Sequence, residues 1–255
     1  MPYALNGPYT GVYVDGSTQV RHGYTTYWPQ TSGVYPTIAF IHGGGGDSGD
    51  MAYHVAECAR IAAIGRVAFS INYLLSTSGA GAFPGAVDDV HAFVSWAKAT
   101  PGCVNDNKIV LCGYSHGGYL ALLYAAMHPG QVAGAIAISA QDIDSHPAFC
   151  DADIEQFMGC TRAENPALWS QATPINYVVG QNGIDAVTFP PVLLIAGEAD
   201  PIVYADTAFD LATALRSVET PATVFSHRIG AHGLYVNDVP LPVRDAVIDE
   251  FMAAI

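Results

Sequence analysis

The stretch KIVLCGYSHGGYLALLYAAM, residues 108–127, decides the fold of this chain. It opens with an apolar run, residues 109–112, that is typical of a buried strand. It then passes through a Gly-x-Ser-x-Gly pentad into residues 119–126, whose apolar members we interpret as one side of a helix. A strand, a tight turn and a helix in this order predict a nucleophile elbow, with Ser115 at the apex of the turn.

Composition limits the functions open to the chain. Its 255 residues are 51% apolar, which is enough for one α/β domain with a large core, and we expect a single domain over residues 1–255. The net charge is −14, so binding to nucleic acid or to anionic lipid is not expected. No apolar run reaches the roughly 18 residues of a membrane span. The oligomeric state cannot be predicted.

The ends and the cysteines say little about location. No basic region followed by an apolar one opens the chain, so we see no signal peptide and expect the cytoplasm by default, with export open if a signal was removed. Cys58 and Cys112 fall in apolar elements and are expected in the core. Cys150 and Cys160 flank a short polar segment and would pair in an oxidising compartment, and we leave both states open. No cysteines have metal-ligand spacing.

Strand and helix patterns alternate on both sides of the elbow. This alternation predicts an α/β fold with a mostly parallel central sheet and helices on both faces. An N-terminal hairpin, residues 10–14 and 18–27 around Asp15-Gly16, precedes it. The predicted strands are 37–41, 67–71, 135–139, 192–196 and 223–225, and the predicted helices are 52–64, 87–99, 205–217 and 243–254.

Residues 141–190 break this alternation. They mix Asp, Pro, Asn, Gln and aromatic residues with little periodicity, and fifty such residues are too many for a simple connection. We therefore predict a small lid insertion of short helices over the edge of the sheet.

A serine nucleophile needs a base and an acid, and both follow later strands. A serine hydroxyl attacks only if a base takes its proton, and the base needs a carboxylate to fix its tautomer. Asp200 follows strand 192–196, and His232 follows strand 223–225. Ligands bind at the carboxyl ends of strands in open α/β sheets, so these side chains are expected to meet Ser115. The chain order Ser, Asp, His is that of the α/β-hydrolases.

Three other carboxylates compete with Asp200 for the role of the acid. Glu198 lies closer to the strand end and is expected to point elsewhere. Asp206 is expected to begin a helix, and Asp185 lies in the predicted lid.

Three other histidines compete with His232 for the role of the base. His227 lies next to the strand end, and His116 is too close to Ser115 along the chain to turn its ring onto the hydroxyl. His42 is expected to fix its loop by a hydrogen bond. Glycines flank His232 and provide the loop freedom that it needs to approach the serine.

A run of four glycines, residues 43–46, directly follows strand 37–41. Four consecutive glycines contribute no packing, but they let main-chain N–H groups approach a ligand closely. An oxyanion hole needs two or three such donors. The glycine run and the main chain of His116 are the candidates.

Together these motifs resemble the α/β-hydrolase esterases with an HGGG loop, over about residues 35–255. The closest group is that of the bacterial carboxylesterases and polysaccharide-side-chain esterases related to hormone-sensitive lipase and to the catalytic domains of prolyl oligopeptidases. The motifs are His42-Gly43-Gly44-Gly45, Gly113-Tyr114-Ser115-His116-Gly117-Gly118, Gly197-Glu198-Ala199-Asp200-Pro201 and Gly230-Ala231-His232-Gly233. Residues 83–90 and 174–178 also resemble segments of that group.

Two features depart from this group. The lipase branch usually has Asp-Ser-Ala at the elbow, where this chain has Tyr114-Ser115-His116. Many relatives also carry an arginine after the tyrosine of the fourth strand, which anchors the helix that here bears Asp89. This chain has Leu74 at that place. From the sequence, Asp89 itself is expected in the first turn of helix 87–99, where a carboxylate suits the helix dipole.

The resemblance implies a serine esterase acting on a small-molecule ester of a short to medium acyl chain, with no metal or cofactor. Gly44 and Gly45 would join His116 as oxyanion donors. Removal of acetyl or feruloyl groups from polysaccharide is the alternative, and a peptidase or a non-hydrolytic member of the fold is a second one. Eight aromatic residues could line the pocket or pack in the core: Tyr53, Tyr73, Phe83, Tyr119, Phe149, Phe157, Trp169 and Tyr235.

Overall fold

A computed structural model describes residues 5–29, 37–77, 80–100, 108–141, 151–236, 239–240 and 242–255. Within these ranges, the runs rich in apolar and β-branched residues form one eight-stranded sheet. Its strands are Leu5–Val12 (β1), Gly23–Pro29 (β2), Thr37–Ile41 (β3), Val67–Ile71 (β4), Ile109–Tyr114 (β5), Gly134–Ile138 (β6), Val192–Gly197 (β7) and Ala222–His227 (β8).

The order of the strands is β1-β2-β4-β3-β5-β6-β7-β8. The β1–β2 and β2–β4 pairs are antiparallel, and every other pair is parallel. Every residue of β3 to β7 is buried, whereas β8 at the edge is mostly half-buried. The predicted mostly parallel sheet is therefore confirmed, and its central strands are covered on both faces.

Helices cover both faces of this sheet, as predicted. The core on one face includes residues of α2, α3, α6 and α7, and the core on the other includes residues of α1 and α8. The helices are Val55–Ala63 (α1), Gly85–Ala99 (α2), His116–Met127 (α3), Asp151–Met158 (α4), Pro166–Gln171 (α5), Pro174–Val179 (α6), Asp206–Ser217 (α7) and Pro242–Ala254 (α8).

Two helix predictions need correction. The segment 52–64 is a 3₁₀ turn, Met51–His54, followed by α1, and the side chain of Asp50 accepts a hydrogen bond from the Ala52 N–H at the start of the turn. Helix α3 has no exposed side, because every residue from His116 to Ala126 is buried. The sheet covers one side of α3, and α2 and α6 lie against others, so the whole circumference is apolar.

The N-terminal hairpin is confirmed, with Val12 of β1 paired with Gly23 of β2, but its strand bounds differ from the prediction. Residues 13–22 form a loop that includes a 3₁₀ turn at Val20–His22. Asp15-Gly16 forms its turn, since the Ser17 N–H donates to the Val14 carbonyl at 3.0 Å. The loop that follows carries Arg21 and His22.

Asp89 makes side-chain contacts that its predicted place at the start of a helix did not indicate. It is buried in α2, with His22 Nε2 at 3.3 Å and Arg21 Nε at 3.6 Å from its carboxylate oxygens. The side chains that contact the Asp89 carboxylate therefore come from the N-terminal hairpin.

The region predicted as a lid contains short helices, as expected. The described part of it carries α4, α5 and α6 between β6 and β7, and residues 142–150 lie outside the described residues. Cys150 is among the latter, so its pairing with Cys160 stays open. Cys58 and Cys112 are buried, as predicted, and both carry free thiols.

A small hairpin that the sequence did not predict follows His232. It pairs Tyr235–Val236 (β9) with Val239–Pro240 (β10). Across the described ranges, no helix combines the length and the apolar character that a membrane crossing requires.

Candidate active site

Ser115 lies at the junction of β5 and α3, where the chain turns sharply. Its φ of 53° and ψ of −121° lie in a region that residues with a side chain rarely occupy. The Ser115 N–H donates to the Ile138 carbonyl at 2.8 Å, which ties the turn to β6. The predicted elbow therefore has the strained backbone of a residue held at the tip of a turn.

The glycines on either side of Ser115 allow this turn. A Cβ on Gly113 would overlap the backbone of Gly117, and a Cβ on Gly117 would overlap the Ile41 carbonyl at the end of β3. Gly43 is also close, though less so, since a Cβ there would lie 2.9 Å from the Tyr114 carbonyl oxygen and 3.1 Å from Ser115 Cβ. Strand, helix and glycine loop meet around the serine with no room for further atoms.

Tyr114, the residue before the serine, is packed by charged and aromatic side chains. Its ring stacks on His54 with 4.5 Å between ring centroids. The guanidinium of the buried Arg244 lies 5.2 Å from the centre of the Tyr114 ring. Arg244 also contacts Asp245 at 3.1 Å and Glu57 at 3.6 Å. Helix α8 thus packs against the elbow through Arg244.

Asp200 follows β7 in a buried turn. One carboxylate oxygen accepts hydrogen bonds from the N–H groups of Ile202 and Val203 at 2.8 and 2.9 Å, and the other accepts one from His232 Nδ1 at 2.8 Å. Burial on its own would raise the pKa of Asp200, but these hydrogen bonds outweigh it and lower the pKa. Asp200 is therefore ionised at neutral pH.

His232 lies in a short 3₁₀ turn after β8. The Gly233 N–H donates to Ser139 Oγ at 2.9 Å, which fixes the turn to the loop after β6. Because Nδ1–H of His232 donates to Asp200, Nε2 is the atom with the free lone pair. The His232 side chain is 27% exposed and lines the same cavity as Ser115. Among the described residues, no hydrogen bond joins the Ser115 hydroxyl to the ring, and such contacts are often loose without substrate.

The competing carboxylates have other surroundings. Glu198 accepts a hydrogen bond from Ser226 Oγ at 2.8 Å. Asp206 lies in the first turn of α7, as predicted, and Asp185 is exposed in the lid region. None of the three lines the cavity that holds Ser115.

The competing histidines are placed elsewhere too. His227 ends β8 and does not line the cavity. His42 fixes its loop, as predicted, since its Nδ1 lies 2.8 Å from the Gly43 carbonyl and its ring stacks on Tyr73 with 4.4 Å between centroids. Burial lowers the pKa of His42 to about 4.

His116 has a fully buried side chain behind the elbow. Its Nδ1 lies 2.8 Å from Gln141 Nε2, and its ring lies edge to face with Phe157 at 4.4 Å between centroids. Burial lowers its pKa to about 3, so the ring is neutral at neutral pH. The contact between His116 and Gln141 could not be found from the sequence, because no periodicity links the two residues.

The glycine loop places main-chain donors beside the elbow. Gly44, Gly45 and Gly46 all have positive φ, at 106°, 63° and 93°. In the part of the chain that the structure describes, the N–H groups of Gly44, Gly45 and His116 donate to no acceptor. The His116 N–H also belongs to the N-terminus of α3, which favours negative charge. Free N–H groups of this kind suit an oxyanion hole.

These groups surround one open cavity of about 700 Å³. Of the aromatic candidates, Tyr53 lines this cavity, whereas Tyr73, Phe83, Tyr119, Phe157 and Trp169 are buried in the core. Phe149 and the side chain of Tyr235 lie outside what the structure describes. The lining is Gly43, Gly44, Gly45, Tyr53, His54, Tyr114, Ser115, Gln141, Asp153, Pro201, Ile202, Ala231, His232 and Gly233.

Known structures resemble this fold over nearly its whole length. The chain superposes on a carbohydrate esterase from gut microbiota, in a truncated form, with a TM-score of 0.81 and 18% identity, covering 99% of this chain and 96% of that one. It superposes on esterase B from Lactobacillus rhamnosis with a TM-score of 0.78 and 18% identity, covering 99% and 85%. At these identities the likeness shows the fold.

Sequence comparison gives a relative and a family. Esterase LipQ from Mycobacterium tuberculosis is 25% identical over 210 residues, which cover 75% of this chain and 47% of that protein. The chain thus spans about half the length of this relative. The family model for the alpha/beta hydrolase fold matches residues 38–236, which include the glycine loop, the elbow, Asp200 and His232. This chain belongs to the α/β-hydrolase fold family.

Proposed function

We propose that this protein is a serine esterase that hydrolyses carboxylic esters of short to medium acyl chains. The observation that carries the proposal is the 2.8 Å hydrogen bond from His232 to Asp200, made by a ring that lines the same cavity as the elbow serine, Ser115. The relatives named as esterases support the same activity.

The reaction begins with attack of Ser115 Oγ on the ester carbonyl carbon. His232 Nε2 takes the hydroxyl proton as the new C–O bond forms, and the ionised Asp200 stabilises the imidazolium. When the tetrahedral intermediate collapses, the bond to the alcohol oxygen breaks. His232 gives its proton to that oxygen, which leaves as the alcohol, and the acyl group stays on Ser115.

Water completes the cycle at the same residues. His232 Nε2 takes a proton from water as the water oxygen attacks the acyl carbon, and it returns that proton to Ser115 Oγ when the acid leaves. In both steps negative charge develops on the carbonyl oxygen. The N–H groups of Gly44, Gly45 and His116 receive this oxygen, and each such donor contributes about 10²–10³-fold to kcat.

Residues 141–190 serve as the lid of a single domain over residues 1–255. Two residues of this segment, Gln141 and Asp153, line the cavity, which supports a role in contacting the substrate. The carboxylate of Asp153 and the net charge of −14 disfavour esters that carry a free carboxylate. The substrate is therefore a small-molecule ester without a free carboxylate.

An ester on a polysaccharide side chain is the second candidate. The cavity is open, and the ring of Tyr53 at its lining is 68% exposed, as a surface that stacks on a sugar ring would be. A structural neighbour is named as a carbohydrate esterase.

Steady-state rates on a series of p-nitrophenyl esters, from acetyl to dodecanoyl, test the activity. We expect turnover of the short and medium esters and loss of rate for the longest. Acetylated xylan and methyl ferulate in the same assay decide the second candidate, which predicts higher kcat/KM for one of them than for any p-nitrophenyl ester. Absence of turnover on all of these, with no phosphonate label on Ser115, would overturn the proposal in favour of a non-hydrolytic protein.

A further inference from the structure

Gln141 is a buried polar side chain at the edge of the active-site cavity. It lies three residues after β6 and is 7% exposed. It lines the cavity of Ser115 and also an adjoining apolar cavity beneath α6 and α7. A buried amide requires hydrogen-bond partners, so the contacts of its two ends indicate its role.

One end of the Gln141 amide is fixed by the protein. Its Nε2 donates to His116 Nδ1 at 2.8 Å, and the His116 ring is fully buried against Phe157. Because His116 belongs to the first turn of α3 and follows the serine, the amide is held in a set orientation beside the elbow.

The other end of the amide is open. Within the described residues, Gln141 Oε1 has no hydrogen-bond partner, and it is not sealed from solvent. Of the two cavities that the side chain lines, the active-site cavity is much the larger, at about 700 Å³ against about 30 Å³, so the solvent that reaches Oε1 is that of the active-site cavity. The oxygen is a pre-oriented acceptor at the site of the reaction.

The sheet places this acceptor on the same side of β5 as His232. The glycine loop follows β3 on one side of β5, whereas Gln141, Asp200 and His232 follow β6, β7 and β8 on the other side. The Gly233 N–H is bonded to Ser139 Oγ, two residues before Gln141, so the loops of His232 and Gln141 are joined. Because His232 protonates the departing alcohol in the proposed mechanism, the alcohol half of the ester is the part that this pair of loops would face.

We propose that Gln141 selects esters whose alcohol half carries a free hydroxyl beside the ester oxygen, as in acetates of polyols and sugars. The substrate hydroxyl donates a hydrogen bond to Gln141 Oε1. This assignment rests on the proposed esterase function and names the class of alcohol that the site takes.

Matched substrates with and without the hydroxyl test the assignment. The ratio of kcat/KM for glycerol 1-acetate to that for propyl acetate is measured for the wild type and for Gln141→Met. We expect the wild type to favour glycerol 1-acetate and the ratio to fall about tenfold in Gln141→Met, since one hydrogen bond to the substrate is lost.

Two further variants separate substrate binding from structural support. Gln141→Glu retains an oxygen acceptor, and the neutral His116 can hold the carboxylate by carrying its proton on Nδ1 and donating it to one oxygen. The other oxygen is then free for the substrate, so this variant should keep most of the preference for the hydroxyl. Gln131→Met makes the same change at an exposed glutamine that bonds Lys98 and should leave the ratio at the wild-type value. Thermal melts of all variants check that they are folded.

An unchanged ratio in folded Gln141→Met would overturn the assignment. An equal loss of kcat/KM for both acetates would also overturn it, because this result would show that Gln141 acts only by supporting His116. Both outcomes leave the esterase function intact, since both acetates are still hydrolysed. Failure of the wild type to hydrolyse either acetate, with no phosphonate label on Ser115, would instead contradict the proposed function on which the assignment rests.

Discussion

The two halves of the candidate site are held together by different forces. The acid–base half, on β7 and β8, depends on hydrogen bonds, three of them to the carboxylate of Asp200, and its imidazole is partly exposed. The other half, on β3 and β5, depends on close packing of glycine backbone around Ser115 and on buried aromatic rings. We therefore expect changes in the first half to reduce catalysis with little loss of stability, and changes in the second to reduce both.

Asp200→Asn gives the largest expected effect. The amide cannot stabilise the His232 imidazolium and favours the wrong tautomer, so kcat should fall by about 10⁴-fold. The melting temperature should change little. Rates on p-nitrophenyl acetate and a thermal melt measure both quantities. Glu198→Gln is the matched control on the same turn and should stay close to the wild-type kcat. A similar loss of kcat in both variants would contradict the assignment of Asp200, rather than Glu198, as the acid that supports His232.

Gly44→Ala and Gly45→Ala sharpen the comparison within the glycine loop. Both positions have positive φ, but only a Cβ on Gly44 would overlap the Ser48 carbonyl, whereas one on Gly45 has ordinary contacts. Gly44→Ala should displace the loop donors and lower kcat by about 10²–10³-fold. Gly45→Ala should cost only the backbone strain, about 1 kcal/mol of unfolding free energy. Equal kcat in the two variants would rule out the loop as the oxyanion site.

Gly117→Ala tests whether packing holds the elbow. The added methyl would overlap the Ile41 carbonyl of β3, so we expect a loss of about 1–3 kcal/mol in the free energy of unfolding, together with lower activity. Urea unfolding measures the loss. Gly130→Ala, where no atom lies within 4 Å of the new methyl, is the control and should lose less. If Gly117→Ala proves as stable as the control, the elbow is not packed as described.

The buried histidines predict the dependence of stability on pH. Burial lowers the pKa values of His42 and His116 to about 4 and about 3, so between about pH 6.5 and these values the unfolded chain binds the protons and the folded chain does not. Stability is therefore full above about pH 6.5 and falls at lower pH, by up to about 1.4 kcal/mol per pH unit for each ring. Urea unfolding between pH 7 and 4.5 measures this slope, which His116→Phe should reduce. An unchanged slope in that variant would show that His116 takes up its proton in the folded state.

Much of the fold and the positions of Asp200 and His232 could be predicted from the sequence. The central strands are buried on both faces and appear as continuous apolar runs, and the carboxyl ends of parallel strands meet at one edge. Chain order then predicted that Ser115, Asp200 and His232 lie near one another. The structure joins Asp200 to His232 by a hydrogen bond and places Ser115 and His232 at one cavity, while their catalytic roles stay a proposal. Each of these signals lies in one short stretch of sequence, and the parallel sheet brings the stretches together at one edge.

Contacts between distant side chains could not be predicted. The anchoring of Asp89 by Arg21 and His22 joins the hairpin to α2, and no local pattern encodes it. The aromatic candidates could not be sorted between pocket and core, because Tyr53 and Tyr73 are both tyrosines in similar sequence surroundings and only the folded chain leaves the first exposed and the second buried. The hydrogen bond from Gln141 to His116 depends in the same way on the loop after β6.

A crystal structure of the protein inactivated by an alkyl phosphonate is the most direct test of the site. We expect phosphorus to be bonded to Ser115 Oγ, with one phosphonate oxygen within about 3.1 Å of the N–H groups of Gly44, Gly45 and His116. His232 Nε2 should face the oxygen that occupies the leaving-group position. An adduct on another residue, or a phosphonate oxygen that points away from all three N–H groups, would contradict the arrangement.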